Sequence, residues 1–508
     1  MTEAVNVSSP EDIYDVVVIG AGPVGLATAI GLYQRGIENI LVIDQARAFL
    51  QVGQTIDLLP NGLKALKSIS SLAYEAVKRQ SITFSSPPQS DGQGTAQATQ
   101  QPKPAKTSRQ WTRINLKGQP IHSFSLEYDD WLKDYGEGRL TISWYDLQTA
   151  LRHLLPEDKV RANHRCINVS HEPETLCVRV DCVSDVGAGV NPYADWNDSS
   201  NQDVPLQDSE SPSPQWVNKV IRAKLVVAAD GINSQVRRIL YTNSPYHAFG
   251  QPEYTGFSVL GCFGITQGSN EQLRELQEKF LESSPIVTIM NDEPWKDSAI
   301  REDPRMILAH SPDDSLRYLL FHTLSLQASK GKLGYELIDL AIQQLEQANF
   351  PDILKQLVRL SSPANLLSRQ LYIHRASLSK LIQFPSTACL HPESDVATPP
   401  AWRAERVVLV GDAAHGMPAF MGQGANQGLE DALVIATLIA KIGDRHDWDD
   451  VQAIDRAFET YEQFRRPIMA YIQKVTLELY DQSDEARQEY EQRVYHRDID
   501  QLLGAWLK

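Results

Sequence analysis

The sequence has few cysteines, little positive charge and no long apolar run, and each shortage excludes a class of protein. Its 508 residues include five scattered cysteines, which make no disulfide framework and favour a reducing compartment such as the cytoplasm. Runs of about 18 apolar residues are absent and the start of the chain is polar, so we expect neither a membrane-spanning helix nor a signal peptide. Lys and Arg total 48 against 64 Asp and Glu, a net charge of −16 that argues against a nucleic-acid partner.

What remains is an ordinary globular composition, with 42% hydrophobic and 22% charged residues in a chain long enough for several domains. Two segments, residues 85–108 and 184–215, are rich in Pro, Gly, Ser, Gln and Asp. Such segments cannot bury enough apolar surface to fold, so we predict two flexible surface insertions. No spacing typical of a metal site occurs, and no metal is expected.

A strand, a glycine-rich turn and a helix follow one another near the start of the chain. The apolar run 15–19 is typical of a buried parallel strand, and the motif GAGPVG follows it at residues 20–25. Gly20 permits the tight turn, Gly22 lets the backbone approach a pyrophosphate, and Gly25 allows close helix packing. Asp44 ends the next strand, where a carboxylate can accept the ribose hydroxyls. These features predict an adenine dinucleotide site without separating FAD from NAD.

Two later turns also follow apolar runs that predict buried strands. Asp230 and Gly231 come after residues 224–229, and Ser234 is placed to cap the next helix. Because α/β sheets bind ligands at the carboxyl ends of their strands, we expect this turn to meet a dinucleotide.

The third motif, GDAAHGMPAFMGQGAN at residues 411–426, predicts a site for a ribityl chain and a flat ring. The Asp412 carboxylate can bond the hydroxyls, and Gly422 and Gly424 let the backbone approach the ring. A helix N-terminus at this point stabilises negative charge, such as that of a reduced isoalloxazine. We interpret His415 as structural.

Strand patterns between residues 254 and 326 predict an antiparallel sheet that is inserted into a discontinuous α/β domain.

Taken in order, these three motifs resemble the FAD-dependent single-component (group A) flavoprotein monooxygenases with the para-hydroxybenzoate hydroxylase fold. Further similarities lie at residues 52–54, 60–62 and 147–148, and in YEQFRRP at residues 461–467. The resemblance implies a Rossmann-like FAD-binding domain at 1–83, 140–250 and 385–445. It also implies a substrate domain at 109–139 and 251–384, C-terminal helices at 446–508, and no separate NAD(P)H domain.

The resemblance assigns cofactor binding to residues of all three motifs, with Pro418 and Gly422 beside the flavin ring and no catalytic side chain identified. The full set expected to bind the cofactor is Gly20, Gly22, Pro23, Val24, Gly25, Asp44, Gln45, Gln54, Gln148, Cys166, Asp230, Gly411, Asp412, Gly422, Gly424, Ala425 and Asn426. The chain departs from its relatives at Leu50 and Trp144, which stand where many relatives carry arginines that help to seat FAD. Arg47 is the nearby candidate to replace one of them.

By resemblance, NAD(P)H reduces FAD, and O2 then forms a C4a-hydroperoxyflavin that transfers one oxygen atom to a small aromatic or lipophilic substrate. An olefin or polyene epoxidase on the same fold is one alternative. A halogenase is another, although its Trp-x-Trp-x-Ile-Pro signature is absent. The third is a flavin-binding protein without turnover. Aromatic and apolar residues of the middle region are candidates to line the pocket: Phe257, Phe263, Met306, Tyr318 and Phe321. The oligomeric state is not predicted.

Overall fold

A computed structural model describes residues 13–46, 49, 55–83, 109–185, 216–265, 270–282, 284–291, 304–310, 315–329, 331–378, 399–442, 448–478 and 484–508. The strands are β1 (Ile13–Ile19), β2 (Ile40–Ile43), β3 (Thr55–Leu58), β4 (Gln110–Ile114), β5 (Pro120–Ser125), β6 (Leu140–Ser143), β7 (Val160–Arg161), β8 (Arg165–Glu172), β9 (Cys177–Asp185), β10 (Trp216–Ala228), β11 (Glu253–Ile265), β12 (Ile286–Ile289), β13 (Arg305–His310), β14 (Leu316–Thr323), β15 (Leu366–Ile373), β16 (Arg403–Ala404) and β17 (Val407–Leu409). The helices are α1 (Pro23–Tyr33), α2 (Pro60–Ile69), α3 (Ser71–Gln80), α4 (Tyr128–Tyr135), α5 (Trp144–Arg152), α6 (Gln235–Tyr241), α7 (Asn270–Leu276), α8 (Leu326–Ser329), α9 (Tyr335–Gln347), α10 (Asp352–Arg359), α11 (Asp412–His415), α12 (Gly424–Ala440), α13 (Val451–Glu478), α14 (Asp484–Val494) and α15 (Ile499–Trp506).

The first sheet has a parallel centre, in the order β17-β10-β1-β2-β7, with β16 antiparallel at one edge. The hairpin β8–β9 joins this sheet through the first half of β10. Strands β2 and β17 are wholly buried runs of Val, Ile and Leu, as parallel strands covered on both faces require. Helices α1 and α12 pack so closely that a Cβ atom on Gly31 would lie only 2.9 Å from the Cβ of Ala436.

The register of this sheet places the three predicted motifs side by side. Ile19 pairs with both Ile43 and Ala228, and Ala228 pairs with Leu409. Each of these residues is the last of its strand, so the carboxyl ends of β2, β1, β10 and β17 form one row. Ligands of open α/β sheets bind outside this edge.

The second sheet has the order β15-β11-β14-β13-β12-β4-β5. Its strands alternate between two faces, as period-two side-chain geometry requires. One face packs against α9 and α10 in a core that includes Leu320, Met306 and Val287. The opposite face turns toward the first sheet and carries the side chains described below. A two-stranded ribbon, β3–β6, lies apart from both sheets.

The C-terminal helices pack on one another and on α12. The long helix α13 packs on α12, and Tyr490 and Val494 of α14 pack against Ile472 of α13. No helix of the described ranges combines the length and the apolar character needed to cross a membrane.

The predicted fold class, a discontinuous α/β domain with an inserted sheet and a helical C-terminal region, is confirmed. The domain boundaries stay a prediction, which the separate cores of the two sheets support. Two details differ. Ser184 and Asp185 belong to β9 and pair with β10, so these two residues do not belong to the predicted second insertion. The pair β4–β12 is parallel, because β4 joins the inserted sheet from an earlier part of the chain. Residues 85–108 and 186–215 lie outside the described ranges.

Candidate active site

The glycine motif forms a tight turn with one open side. Gly20 has φ +108°, and a Cβ atom on Gly25 would lie 1.9 Å from the Gly20 carbonyl oxygen, so packing requires both glycines. Gly22 differs, because its nearest neighbour would be the Trp144 ring at 4.0 Å. Helix α1 begins directly after Gly22 with Pro23, and its first N–H groups, including that of Val24, have no partner within the helix. This open, electropositive end suits an anion such as a pyrophosphate.

Asp44 and Gln148 fix the glycine turn from two sides. The Asp44 carboxylate accepts hydrogen bonds from the backbone N–H groups of Ala21 and Ala46, both at 2.7 Å. The Gln148 side chain donates to the Ala21 carbonyl oxygen at 2.7 Å. Burial raises the pKa of Asp44, and the two N–H groups oppose that shift. Gln45 is exposed directly after Asp44.

Of the two positions that depart from the resemblance, the structure describes Trp144 and leaves Leu50 outside the described residues. Trp144 is the first residue of α5, and its ring faces Gly22. An aromatic surface therefore stands beside the glycine turn, at a position where the resemblance implies an arginine. Leu50, Arg47 and Gln54 lie outside the described residues, so their assignments stay predictions.

The second motif is more structural than predicted. The Asp230 carboxylate accepts from the Ser234 hydroxyl at 2.5 Å and from the N–H groups of Gln235 and Val236 at 2.7 and 3.1 Å. It thus caps α6, together with the Ser234 hydroxyl, which accepts from the N–H group of Arg237. The neighbouring Gly231, at φ +76°, faces open space, and the backbone there remains accessible.

Cys166 and Arg237 also serve the scaffold. The Cys166 thiol is packed into the core, where burial raises its pKa, and its predicted contact with a cofactor stays a prediction. Arg237 is buried and donates to the carbonyl oxygens of Ala413 and Ala414, each at 2.9 Å. It therefore braces the turn of the third motif.

Asp412 is half-buried in that turn. Gly411 has φ +58° and turns the chain sharply at the end of β17. The Asp412 carboxylate makes no hydrogen bond or ion pair with another described residue, and burial raises its pKa. One of its oxygens points to the start of α12, 3.7 Å from the position of a Cβ atom on Gly424. A half-buried carboxylate without a described protein partner can accept hydrogen bonds from the hydroxyl groups of a ligand.

The loop before α12 shapes the other side of this site. Pro418 is buried, while Gly422 is exposed with φ +61°. Gly424 and Ala425 open α12 with free N–H groups. The Asn426 side chain accepts from the N–H of Leu59 at 2.8 Å and donates to two carbonyl oxygens. Its predicted contact with a cofactor stays a prediction.

A cavity of about 280 Å³ lies between this loop and the second sheet. Phe420, from the loop, packs edge-on against Phe257 of β11 and Phe321 of β14, with ring centroids 5.4 Å apart in both pairs. The remaining cavity residues of the sheet face lie on or beside β4, β5, β12 and β13: Trp111, Arg113, His122, Phe124, Thr288, Met290, Arg305 and Ile307.

Of the five residues predicted to line the pocket, Phe257 and Phe321 do so and three do not. Met306 and Tyr318, at 0% and 1% exposure, point from β13 and β14 into the opposite core. Phe263 is 44% exposed and lies away from the cavity. Period-two alternation explains the errors at Met306 and Tyr318, because neighbouring strand positions face opposite sides.

Two further walls of the cavity come from helices that were not predicted to line it. Helix α4 contributes Trp131 and Tyr135, and both contact the ring of Tyr495, at 5.3 and 5.2 Å between centroids. Helix α14 contributes Arg487, whose guanidinium lies 3.3 Å from the Nδ1 atom of His122. The alternation of aromatic and basic residues in β4 and β5 was the available signal for this pocket.

The groups at this edge of the first sheet fit FAD. It offers two helix N-termini, an open glycine turn, and the unpartnered carboxylate of Asp412, all at one sheet edge and next to the cavity. Asp44 keeps lone pairs for ribose hydroxyls, since each of its oxygens accepts one protein hydrogen bond.

Comparison with known proteins supports the same ligand. Residues 13–67 and 373–476 match a protein family described as FAD binding domain. The chain is 22% identical to 3-amino-4-hydroxybenzoate 2-monooxygenase of Streptomyces cremeus over 462 residues, covering 90% of this chain and 85% of the relative. It is 39% identical to a salicylate hydroxylase of Pseudomonas putida over 111 residues, which cover 21% of this chain and 24% of that enzyme.

Among solved structures, the fold is similar to CtdE in complex with FAD and a compound called substrate 4. The TM-score is 0.59 at 14% identity, and the alignment covers 97% of this chain and 99% of CtdE.

Proposed function

The chain belongs to the group A flavoprotein monooxygenase family, and we propose that this FAD-dependent enzyme inserts one atom of O2 into a small aromatic substrate. The observation that carries the proposal is the position of the cavity, which the loop of Ala419–Gly422 bounds on one side and the sheet face on the other. One space is therefore open to both a flavin and a substrate.

In this proposal the row of strand ends holds the cofactor. The N-termini of α1 and α12 would meet the pyrophosphate and the flavin ring, while Asp44 and Asp412 would bond the hydroxyls of the ribose and the ribityl chain. When bound, FAD supplies the path by which reducing equivalents from NAD(P)H reach O2. NAD(P)H as the reductant is part of the proposal.

The cavity walls orient the substrate and exclude water. Phe257, Phe321 and Phe420 present ring edges and faces, and such surroundings hold an aromatic ring while keeping the site dry. A cavity of about 280 Å³ suits a compound of one or two rings. A small aromatic substrate is therefore favoured over a long polyene.

The charges of the cavity refine the substrate class. Four arginines line it, against two acidic residues, in a chain with a net charge of −16. Arg139 pairs with Asp57 at 2.7 Å, and Arg113 and Arg305 line the cavity from the sheet face. A guanidinium binds carboxylates through paired hydrogen bonds, so we propose an aromatic substrate that carries an acidic group.

The test is oxidation of NADH and NADPH by the purified FAD-loaded protein, measured with hydroxybenzoates, neutral phenols and olefins. Stimulation by hydroxybenzoates together with an oxygenated product supports the proposal. Stimulation by olefins with epoxide formation would establish the epoxidase alternative. A protein that binds FAD but shows no stimulated turnover with any compound would favour flavin binding without catalysis.

A further inference from the structure

A buried charged cluster lies behind the turn that carries Asp412, and it touches neither the cavity nor the open face of the cofactor site. Its centre is Asp431 of α12, and we call it the Asp431 network: Asp431, Glu430, His415, Arg465 and Arg497. All five side chains are buried, and those of Asp431 and Arg465 are 0% exposed.

One oxygen of Asp431 holds both ends of the turn. Its Oδ2 atom accepts from the backbone N–H of Gly411 at 2.8 Å and from Nε2 of His415 at 2.6 Å. A carboxylate only accepts hydrogen bonds, so the His415 nitrogen that faces it carries the proton. Gly411 and His415 bracket Asp412 in the chain, and the contact therefore fixes the stretch from which the Asp412 carboxylate projects.

The other oxygen of Asp431 ties the turn to the C-terminal helices. Its Oδ1 atom accepts from Nε of Arg465 at 2.6 Å. Arg465 also pairs with Glu430, whose carboxylate lies 3.2 Å from a guanidinium nitrogen of Arg497. Burial disfavours the charged form of Asp431, but His415 and Arg465 hold the pKa of Asp431 well below its ordinary value.

Asp412 itself lacks such support. No described side chain or backbone group bonds its carboxylate, so its direction depends on the backbone of residues 411–415. Gly411 adopts a left-handed conformation, at φ +58°, which must be held by its surroundings. Arg237 braces the middle of the turn, and Asp431 clamps its two ends.

We propose that Asp431 is a positioning residue, which fixes the turn so that the Asp412 carboxylate meets the ribityl chain of FAD. The inference rests on the proposed cofactor site and gives the YEQFRRP segment a role, because Arg465 from that segment holds Asp431 in place. Glu430 is the natural comparison. It is equally buried and shares Arg465, but within the described residues its carboxylate has no hydrogen bond or ion pair with residues 411–415.

The experiment measures the Kd of FAD for apoprotein variants, with thermal unfolding of each apoprotein as the measure of stability. We expect Asp431→Ala to raise the Kd at least tenfold. Glu430→Ala should lower the melting temperature to a similar extent while changing the Kd less than threefold. Asp431→Asn keeps an oxygen that can accept from Gly411 and His415 but turns its amide donors toward Arg465, so it should raise the Kd less than Asp431→Ala does.

A double-mutant cycle separates positioning from general stability. If Asp431 acts through Asp412, then Asp431→Ala should cost no further affinity in a protein that already carries Asp412→Ala. Additive losses, or equal effects of Asp431→Ala and Glu430→Ala on the Kd, would overturn the inference. If Asp431→Ala does not fold, Asp431→Glu replaces it, since it keeps the charge for Arg465 but displaces the oxygens from the turn. An unchanged Kd in that variant would also overturn the inference.

The outcome for the proposed function is distinguishable. Failure of the unaltered protein to bind FAD would refute the cofactor site itself. Normal FAD binding by the unaltered protein and by every Asp431 variant would refute only the positioning role.

Discussion

Substituting alanine at two glycines of one turn should separate folding from cofactor binding. At Gly25 a Cβ atom would lie 1.9 Å from the Gly20 carbonyl oxygen, so Gly25→Ala must push α1 away from β1. Overpacking of this kind costs about 3 kcal/mol of folding free energy. At Gly22 the backbone has φ −70° and ψ 172°, which alanine adopts freely, and the added methyl would only touch Trp144 at 4.0 Å. Gly22→Ala should therefore change the stability of the apoprotein by less than about 0.5 kcal/mol.

The same methyl group would stand on the open side of the turn, where we place the pyrophosphate. Loss of one charge-assisted hydrogen bond to the phosphates costs about 1.5 to 3 kcal/mol. Since each 1.4 kcal/mol is about tenfold in affinity, the Kd for FAD should rise about 10- to 100-fold.

The assay is titration of apoprotein with FAD, followed by the quenching of flavin fluorescence, beside urea unfolding of each apoprotein. The reasoning would be refuted if Gly22→Ala bound FAD with unchanged affinity, or if it lost as much stability as Gly25→Ala.

Three further predictions concern the cavity and the buried histidines. Arg113→Gln and Arg305→Gln should each weaken the binding of a hydroxybenzoate about tenfold and leave the binding of the corresponding neutral phenol unchanged. Titration of the flavin absorbance measures both affinities. Equal losses of affinity for the two ligands would contradict charge recognition. Phe420→Ala should admit water and raise the hydrogen peroxide formed per NAD(P)H consumed, whereas an unchanged ratio would mean that Phe420 does not seal the cavity. Burial lowers the pKa of His322 to about 4 and that of His374 to about 2. The unfolded chain, with histidine pKa values near 6.5, takes up protons at these two positions below pH 6 while the fold keeps them neutral, so the pair alone should lower the free energy of unfolding by about 2 to 3 kcal/mol per pH unit between pH 6 and 4. His322→Gln should lessen the measured slope by about 1 kcal/mol per pH unit in urea unfolding, and an unaltered slope would show that His322 is not kept neutral by the fold.

The edge of the first sheet where we place the cofactor could be predicted, because the sequence patterns that form it are local. A buried strand, a glycine turn and a helix lie within residues 13–33, and strand direction alone brings Asp44 and Asp412 to the same edge as that turn. The chemistry of these positions follows from backbone geometry that short sequences specify.

The roles of short polar side chains were harder to predict. Asp230 and Asn426 were both assigned to the cofactor, but their side chains bond α6 and the backbone near Leu59. Aspartate and asparagine serve equally well as caps and as ligands, and only the position of the neighbouring backbone decides between the two.

The cavity walls could not be predicted because they depend on packing between distant segments. Tyr318 and Phe321 belong to the same strand and face opposite sides. Alternation shows which positions share a face, without showing which face meets the first sheet. Arg487 reaches the cavity from α14, far along the chain from Phe257, and no local pattern links the two.

The most direct test of the central claim is the mass of the product formed under oxygen-18-labelled O2. The FAD-loaded protein, a nicotinamide cofactor and a stimulating hydroxybenzoate should give a product that has gained one labelled oxygen atom, with the other atom released as water. Substrate consumption without incorporation of the label, or incorporation of oxygen from water, would contradict the monooxygenase account.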